Sequence, residues 1–96
     1  MPTSQAIRVV AFKDGDQWVA QCLEHDICAT ADDLETLQYR IEVAIEAESE
    51  LCKSEGRDLS SLPPAPEHFS ALWEKRPGFE KSGTSDGVGY QMALCA

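Results

Sequence analysis

The sequence predicts an α+β fold in which a small, mostly antiparallel sheet is covered by one long helix. Three observations support this prediction. Residues 7–31 read as three short strands with turns between them, residues 34–54 carry apolar side chains at helical spacing, and residues 88–95 alternate as a strand again. Strands gathered on one side of a single long helix form a two-layer sandwich of order βββα(α)β.

The first three strands are predicted at residues 7–12, 17–22 and 27–31. Residues 7–12, IRVVAF, are rich in β-branched and aromatic side chains, and Gly15 can take a positive φ in the turn that follows. Trp18, Ala20 and Cys22 alternate along the second strand and share one face. We therefore expect a hairpin followed by a short third strand.

The long helix is predicted at residues 34–54, because seven apolar side chains recur at three- and four-residue spacing and share one face. They are Leu34, Leu37, Ile41, Ala44, Ile45, Leu51 and Cys52. Asp33 can cap the first turn, and Asp32 is an alternative cap because Glu35 lies three residues further on, as in a capping box. Gly56 suits the left-handed position that ends such a helix.

The chain changes character after Gly56. Three prolines within residues 63–66 exclude regular structure there, and a short helix is predicted at residues 67–75. Its apolar face consists of Phe69, Leu72 and Trp73. This face is interpreted either as an oligomer interface or as a flap that covers the open side of the sheet.

The C-terminal quarter is predicted to contain a mobile loop followed by the last strand. Residues 76–87 are rich in Gly, Ser and Lys, which favours a loop. Val88, Tyr90, Met92 and Leu94 then alternate, which predicts a strand at residues 88–95.

Length and charge restrict the class of protein. Ninety-six residues make one domain, residues 1–96. Eight Lys and Arg against 17 Asp and Glu give a net charge of -9, which disfavours direct nucleic-acid binding and suits a basic partner. No apolar run has the length of a membrane span and no signal peptide is visible, so we expect a cytoplasmic protein whose four cysteines are reduced.

The candidates for chemistry are incomplete. Cys22, His25 and Cys28 have a C-x2-H-x2-C spacing, but a closed zinc site needs a fourth ligand. The first strand carries no carboxylate for a metal-dependent nuclease, and neither His25 nor His68 has a nucleophile placed beside it by sequence. We therefore expect no catalytic residue, no metal and no cofactor.

Three runs of sequence carry a resemblance to a known family. They are CLEHDI at residues 22–27, ADDLETL at residues 31–37 and IEVAIE at residues 41–46, placed after a hairpin. They resemble the HicB-like antitoxin family, in which a common version reads Cys-Leu-Glu-Leu-Asp-Ile and then Gly-Asp-Thr-Leu-Glu-Glu-Ala. The matching residues are Cys22, Leu23, Glu24, Asp26, Ile27, Asp32, Leu34, Glu35, Ala44 and Ile45. His25, Ala31 and Asp33 depart from the pattern, and the resemblance covers residues 7–52.

The resemblance implies a trimmed RNase H fold, in which the last strand lies beside the first and parallel to it. It also implies an antitoxin-type protein that neutralises a small basic RNA-cleaving toxin of the HicA type by direct contact. The partner-binding residues would then be Glu24, His25, Asp26 and Asp32, an acidic rim where the sheet meets the helix start, with Asp33 used in capping.

HicB-like domains tend to pair, so a homo-oligomer is expected, either a dimer or a tetramer. Two alternatives stay open. One is a stand-alone oligomeric HicB-like domain with an unknown partner, and the other is a divergent RNase H-like nuclease. A small basic protein encoded next to this one would favour the antitoxin.

Overall fold

The computed structural model describes residues 7–75, 80–85 and 88–95, which form an α+β fold as predicted. The elements are β1 (Ile7–Asp14), β2 (Gln17–Cys22), β3 (Cys28–Ala31), α1 (Leu34–Ser54), a 3-10 turn (Leu59–Ser61), α2 (Glu67–Glu74), β4 (Glu80–Ser85) and β5 (Val88–Cys95). Within the described residues, no helix is both long and apolar enough to span a membrane.

The described strands form one sheet of order β3-β2-β1-β5-β4. β1, β2 and β3 are antiparallel neighbours, and Gly15 takes a φ of 65° in the first turn. β5 lies parallel to β1, with Ile7 opposite Tyr90 and Phe12 opposite Cys95. The parallel placement of the last strand beside the first is therefore present. The segment between α1 and β5 is long enough to make the crossover that a parallel pair requires.

α1 packs on one face of the sheet and supplies the centre of the core. Ile41 and Ile45 are fully buried, as the helical spacing predicts. Leu51 was assigned to the same face, and this was wrong, because its side chain is 51% exposed while Ser49 and Cys52 are buried. Leu51 lies six residues after Ile45, about 240° further round the helix, whereas Ser49 and Cys52 continue the buried face.

Both ends of α1 agree with the predicted caps. The Asp33 side chain accepts a hydrogen bond of 2.7 Å from the Thr36 N–H, so Asp33 is the cap and Asp32 is not. At the other end Gly56 has a φ of 73°. The Arg57 N–H donates to the Cys52 carbonyl at 2.7 Å and the Gly56 N–H donates to the Lys53 carbonyl at 3.1 Å, which is a Schellman motif.

α2 lies against the opposite face of the sheet. Trp73 is buried with Val10, Leu23 and Ala93, and Phe69 and Leu72 pack beside them. These contacts agree with the second interpretation of this apolar face, in which α2 is a flap that covers the open side of the sheet.

The loop predicted for residues 76–87 was wrong at residues 80–85, which form β4 and pair with β5 as an antiparallel hairpin. Residues 76–79 and 86–87 of that prediction lie outside the described residues. The Tyr90 ring lies over Gly83, directly opposite on β4. Pairing with an apolar neighbour therefore makes a strand from a segment whose own composition favours a loop.

Candidate functional site

The turn between β2 and β3 presents three of the predicted partner-binding residues, Glu24, His25 and Asp26, called here the turn surface. Leu23 and Ile27 flank these residues and are each 4% exposed, so both ends of the turn are anchored in apolar surroundings. The Cys22 N–H donates to the Ile27 carbonyl at 2.9 Å and closes the turn. The turn therefore presents three polar side chains from a backbone that is anchored at both ends.

The Pro-rich segment braces this turn from outside. The Asp26 N–H donates to the Pro63 carbonyl at 2.8 Å, and the Ala65 N–H donates to the Leu23 carbonyl at 3.0 Å. Since the prolines lack N–H donors, Ala65 is the residue within 63–66 that can donate such a bond. The two bonds hold residues 63–65 along the turn, which fixes the backbone beneath the turn surface.

Glu24 is compensated by a cation that sequence reasoning missed. Its carboxylate accepts a hydrogen bond from the Arg8 backbone N–H at 2.8 Å and an ion-paired bond from Arg8 Nε at 2.6 Å. The Arg8 guanidinium also lies 5.9 Å from the centre of the Trp73 ring. The negative charge that the turn surface offers to a partner is therefore smaller than its two acidic residues, Glu24 and Asp26, suggest.

Asp26 carries the remaining negative charge of the turn surface. It is exposed, and it accepts a hydrogen bond from the neutral Gln21 amide at 3.0 Å, which leaves its charge in place. Gln21 is itself buried and also donates to the Cys22 carbonyl at 3.0 Å. Asp26 is thus oriented by a buried amide while its charge faces solvent.

His25 is partly buried and its Nδ1 atom is buried without a hydrogen-bond partner among the described residues. Burial lowers the pKa of His25, although the nearby Glu24 and Asp58 carboxylates act in the opposite direction. The imidazole is therefore neutral at pH 7, and it contributes shape to the turn surface with no charge.

The predicted acidic rim is not one continuous surface. Asp32 and Asp33 follow β3, whereas the turn surface precedes it, so roughly 13 Å of strand separates them. Ala31 pairs with Trp18, which places Asp32 at the end of the sheet that carries the β1–β2 turn with Asp16. Asp32 and Asp33 are exposed, and the Thr36 N–H lowers the pKa of Asp33 by bonding its carboxylate.

Cys22, His25 and Cys28, whose spacing suggests a zinc site, are not brought together in the fold. Cys28 pairs with Gln21 and so lies on the opposite face of the sheet from Cys22. Burial raises the pKa of the Cys22 thiol to about 12, with smaller contributions from Glu24 and Cys28. In the part of the chain that the structure describes, no three His, Cys, Asp or Glu residues are grouped to hold a metal. The absence of a metal stays a prediction.

A second polar cluster lies where α1 meets β5, and sequence reasoning missed it. The Tyr90 hydroxyl donates to the Glu42 carboxylate and accepts a bond of 3.0 Å from the Gln38 amide. Burial and the bond to Glu42 raise the pKa of Tyr90 to about 12. A tyrosine on an inward-facing strand position needs a polar partner for its hydroxyl, and this was the available signal. The cluster joins helix to sheet and explains why Glu42 is half-buried.

No family model, curated protein or solved structure matches this chain. The resemblance to the HicB-like family therefore stays a prediction.

Proposed function

We propose that this protein is a HicB-like antitoxin-type binding protein that would neutralise a small basic toxin by direct contact. The observation that carries the proposal is the segment from Cys22 to Glu35, which resembles the family pattern apart from His25, Ala31 and Asp33 and which folds into a turn, an edge strand and a helix start. Asp26 precedes the edge strand β3 and Asp32 follows it, and both side chains are exposed. A net charge of -9 favours encounter with a basic protein.

The proposed contact surface extends along β3 from the turn surface to Asp32. A standard protein interface buries about 800 Å² on each partner, which is wide enough to cover a strand of four residues and both of its ends. β3 is an edge strand of the described sheet, and Cys28 and Thr30 on it are exposed. A partner on this edge would contact both acidic ends together.

The test is co-expression with the small basic protein encoded beside this one, followed by pull-down and a growth assay. Asp26→Lys and Asp32→Lys are the informative variants, because both side chains are exposed and neither is the helix cap. Glu24→Lys is less informative, since it also breaks the ion pair with Arg8. Glu67→Lys with Glu74→Lys is the matched control for the double variant: it changes net charge equally, both side chains are exposed, and α2 packs against β1 and β5.

The double variant Asp26→Lys with Asp32→Lys should associate more slowly and rescue growth less well than the parent and the Glu67→Lys with Glu74→Lys control. Added salt should narrow the difference, because exposed charges act mainly on the encounter rate. Equal rescue by the double variant would refute the contact surface. The absence of any small basic neighbour would refute the antitoxin function itself.

A stand-alone oligomeric domain is the second candidate, and the two edges of the described sheet favour it. β3 and β4 end the sheet, and exposed strand edges in proteins are usually covered. Because Trp73 is buried against its own sheet, we expect a dimer or tetramer to use strand edges more than the Phe69–Trp73 segment. Light scattering that gives a monomer mass at micromolar concentration would contradict this candidate.

We also propose that the protein is not a nuclease. Among the residues of β1, Asp14 is the one carboxylate, and it stands at the exposed end of the strand. A metal-dependent nuclease needs carboxylates that converge on a metal. Magnesium-dependent cleavage of an RNA–DNA hybrid by purified protein, abolished by a single carboxylate substitution, would overturn this proposal.

A further inference from the structure

The solvent side of α1 carries a continuous apolar line of Tyr39, Val43, Ala47 and Leu51, called here the outer stripe. The four residues follow one another at a spacing of four, so each contacts the next along the helix surface. Tyr39 is 67% exposed, Val43 47% and Leu51 51%, and Ala47 is exposed as well. Isolated exposed apolar residues are ordinary, but a line about three turns long is a feature of interaction surfaces.

One flank of the outer stripe is acidic. At 100° per residue, Glu46 and Glu50 lie on the same side of the stripe, and both are exposed, while the exposed Glu35 lies four residues before Tyr39 and continues its line. The other flank carries the half-buried Glu48 and also Arg40, whose guanidinium donates to the Thr30 carbonyl at 2.9 Å and is thereby drawn toward β3. The stripe therefore combines an apolar centre with a negative border.

This charge pattern opposes antiparallel pairing of the stripe with a second copy of itself. In a two-fold pair of antiparallel helices packed face to face, the same flank of each helix meets its counterpart. Glu46 and Glu50 of one copy would then face the same acids of the other, and each chain already has a net charge of -9. A helix of another protein with lysine or arginine beside its apolar residues would cover the apolar side chains of the stripe and pair with its acids.

We propose that the outer stripe docks a basic amphipathic helix of another protein. The apolar residues of that helix would pack between Tyr39, Val43 and Leu51, and its cations would face Glu46 and Glu50. This inference does not depend on the proposed antitoxin function, because the stripe lies on α1 and shares no residue with the surface along β3.

The probe is a fluorescein-labelled synthetic 18-residue helix of Leu, Ala and Lys with leucines on one face and lysines on its borders. Binding to the full chain is followed by fluorescence anisotropy. The double variant Val43→Gln with Leu51→Gln should weaken binding about tenfold or more, because it removes most of the apolar contact. Both side chains are exposed, so this variant should keep the parent's circular dichroism spectrum and melting temperature.

Charge is tested separately. Glu46→Gln with Glu50→Gln should weaken binding by several-fold and reduce its salt dependence, whereas Glu67→Gln with Glu74→Gln removes the same charge on α2 and should have little effect. A second peptide with Glu in place of Lys should bind at least tenfold more weakly.

Three results would overturn the proposal. If the Val43→Gln with Leu51→Gln variant binds the peptide as tightly as the parent does, the peptide binds by general charge attraction and not by contact with the stripe. Equal binding of the two peptides would remove the role of the acidic flank. A dimer that this stripe variant converts to a monomer in light scattering would show that a second copy covers the stripe.

Discussion

Replacing Gly83 with alanine is expected to lower the free energy of unfolding by about 1–3 kcal/mol, the usual cost of overpacking. A Cβ atom at Gly83 would lie 2.5 Å from the Tyr90 hydroxyl oxygen, 2.7 Å from Cζ and 2.9 Å from Cε2. The Tyr90 side chain is 1% exposed and bonded to Glu42 and Gln38, so the ring cannot move aside freely. Breaking either bond would add about 0.5–3 kcal/mol.

The measurement is a urea titration followed by tryptophan fluorescence, and the chain supplies its own control. A Cβ added at Gly89, on the neighbouring strand position, meets nothing within 4 Å. Gly89→Ala should therefore change stability by less than about 0.5 kcal/mol. In a Tyr90→Leu background the cost of Gly83→Ala should shrink by more than about 0.5 kcal/mol, because the two residues are in contact.

Equal effects of Gly83→Ala and Gly89→Ala would refute this reasoning. That result would mean that residues 80–85 do not hold Gly83 opposite Tyr90, and the β4–β5 hairpin itself would then be in doubt.

Three further predictions concern the core, the thiols and His25. Ile41→Ala should cost about 2–5 kcal/mol in the same titration, because Ile41 is fully buried, and a cost below about 0.5 kcal/mol would contradict its place in the core. A maleimide followed by peptide mass spectrometry should label the exposed Cys28 well before Cys22, whose pKa is raised to about 12; equal rates would contradict the burial of Cys22. The pKa of His25 is lowered in the folded protein, so the unfolded chain takes up a proton first as pH falls through about 6.5. Stability should therefore decrease from pH 7 to pH 5, and His25→Gln should flatten this dependence; an unchanged slope would contradict it.

Local signals predicted the long helix well. Asp33 and Gly56 act through bonds within four residues of themselves, so their capping roles can be inferred from neighbouring sequence. Ile41 lies at the centre of a repeating pattern and is correctly assigned to the core. Leu51 was misassigned because, near the end of the pattern, its neighbour Cys52 holds the buried position.

β4 could not be predicted from its own residues. The segment EKSGTS has few strand-forming side chains, and its pairing with β5 supplies the structure. The signal that was available is Tyr90, since an aromatic residue opposite a glycine is a recurring way to stabilise a strand pair.

In the candidate site, too, contacts between residues distant in sequence could not be predicted from local sequence. Glu24 and Arg8 are 16 positions apart, and only the β1–β2 register brings them together. The division of the acidic rim was predictable, because a third strand between Asp26 and Asp32 necessarily separates them by its own length. The sequence shows where an acidic residue stands in the chain. Whether a cation neutralises its charge depends on which residues the fold places beside it.

The parallel pairing of β1 with β5 has a consequence for synthesis of the chain. Ile7 is made 83 positions before its partner Tyr90 (90 minus 7). At about 5–20 residues per second, β1 waits roughly 4–17 s for its neighbour. During that interval Val9, Val10 and Ala11 border an open edge at what becomes the middle of the sheet. The nascent protein is therefore vulnerable to aggregation until β5 is made, and ribosome-associated chaperones have most to protect during that interval.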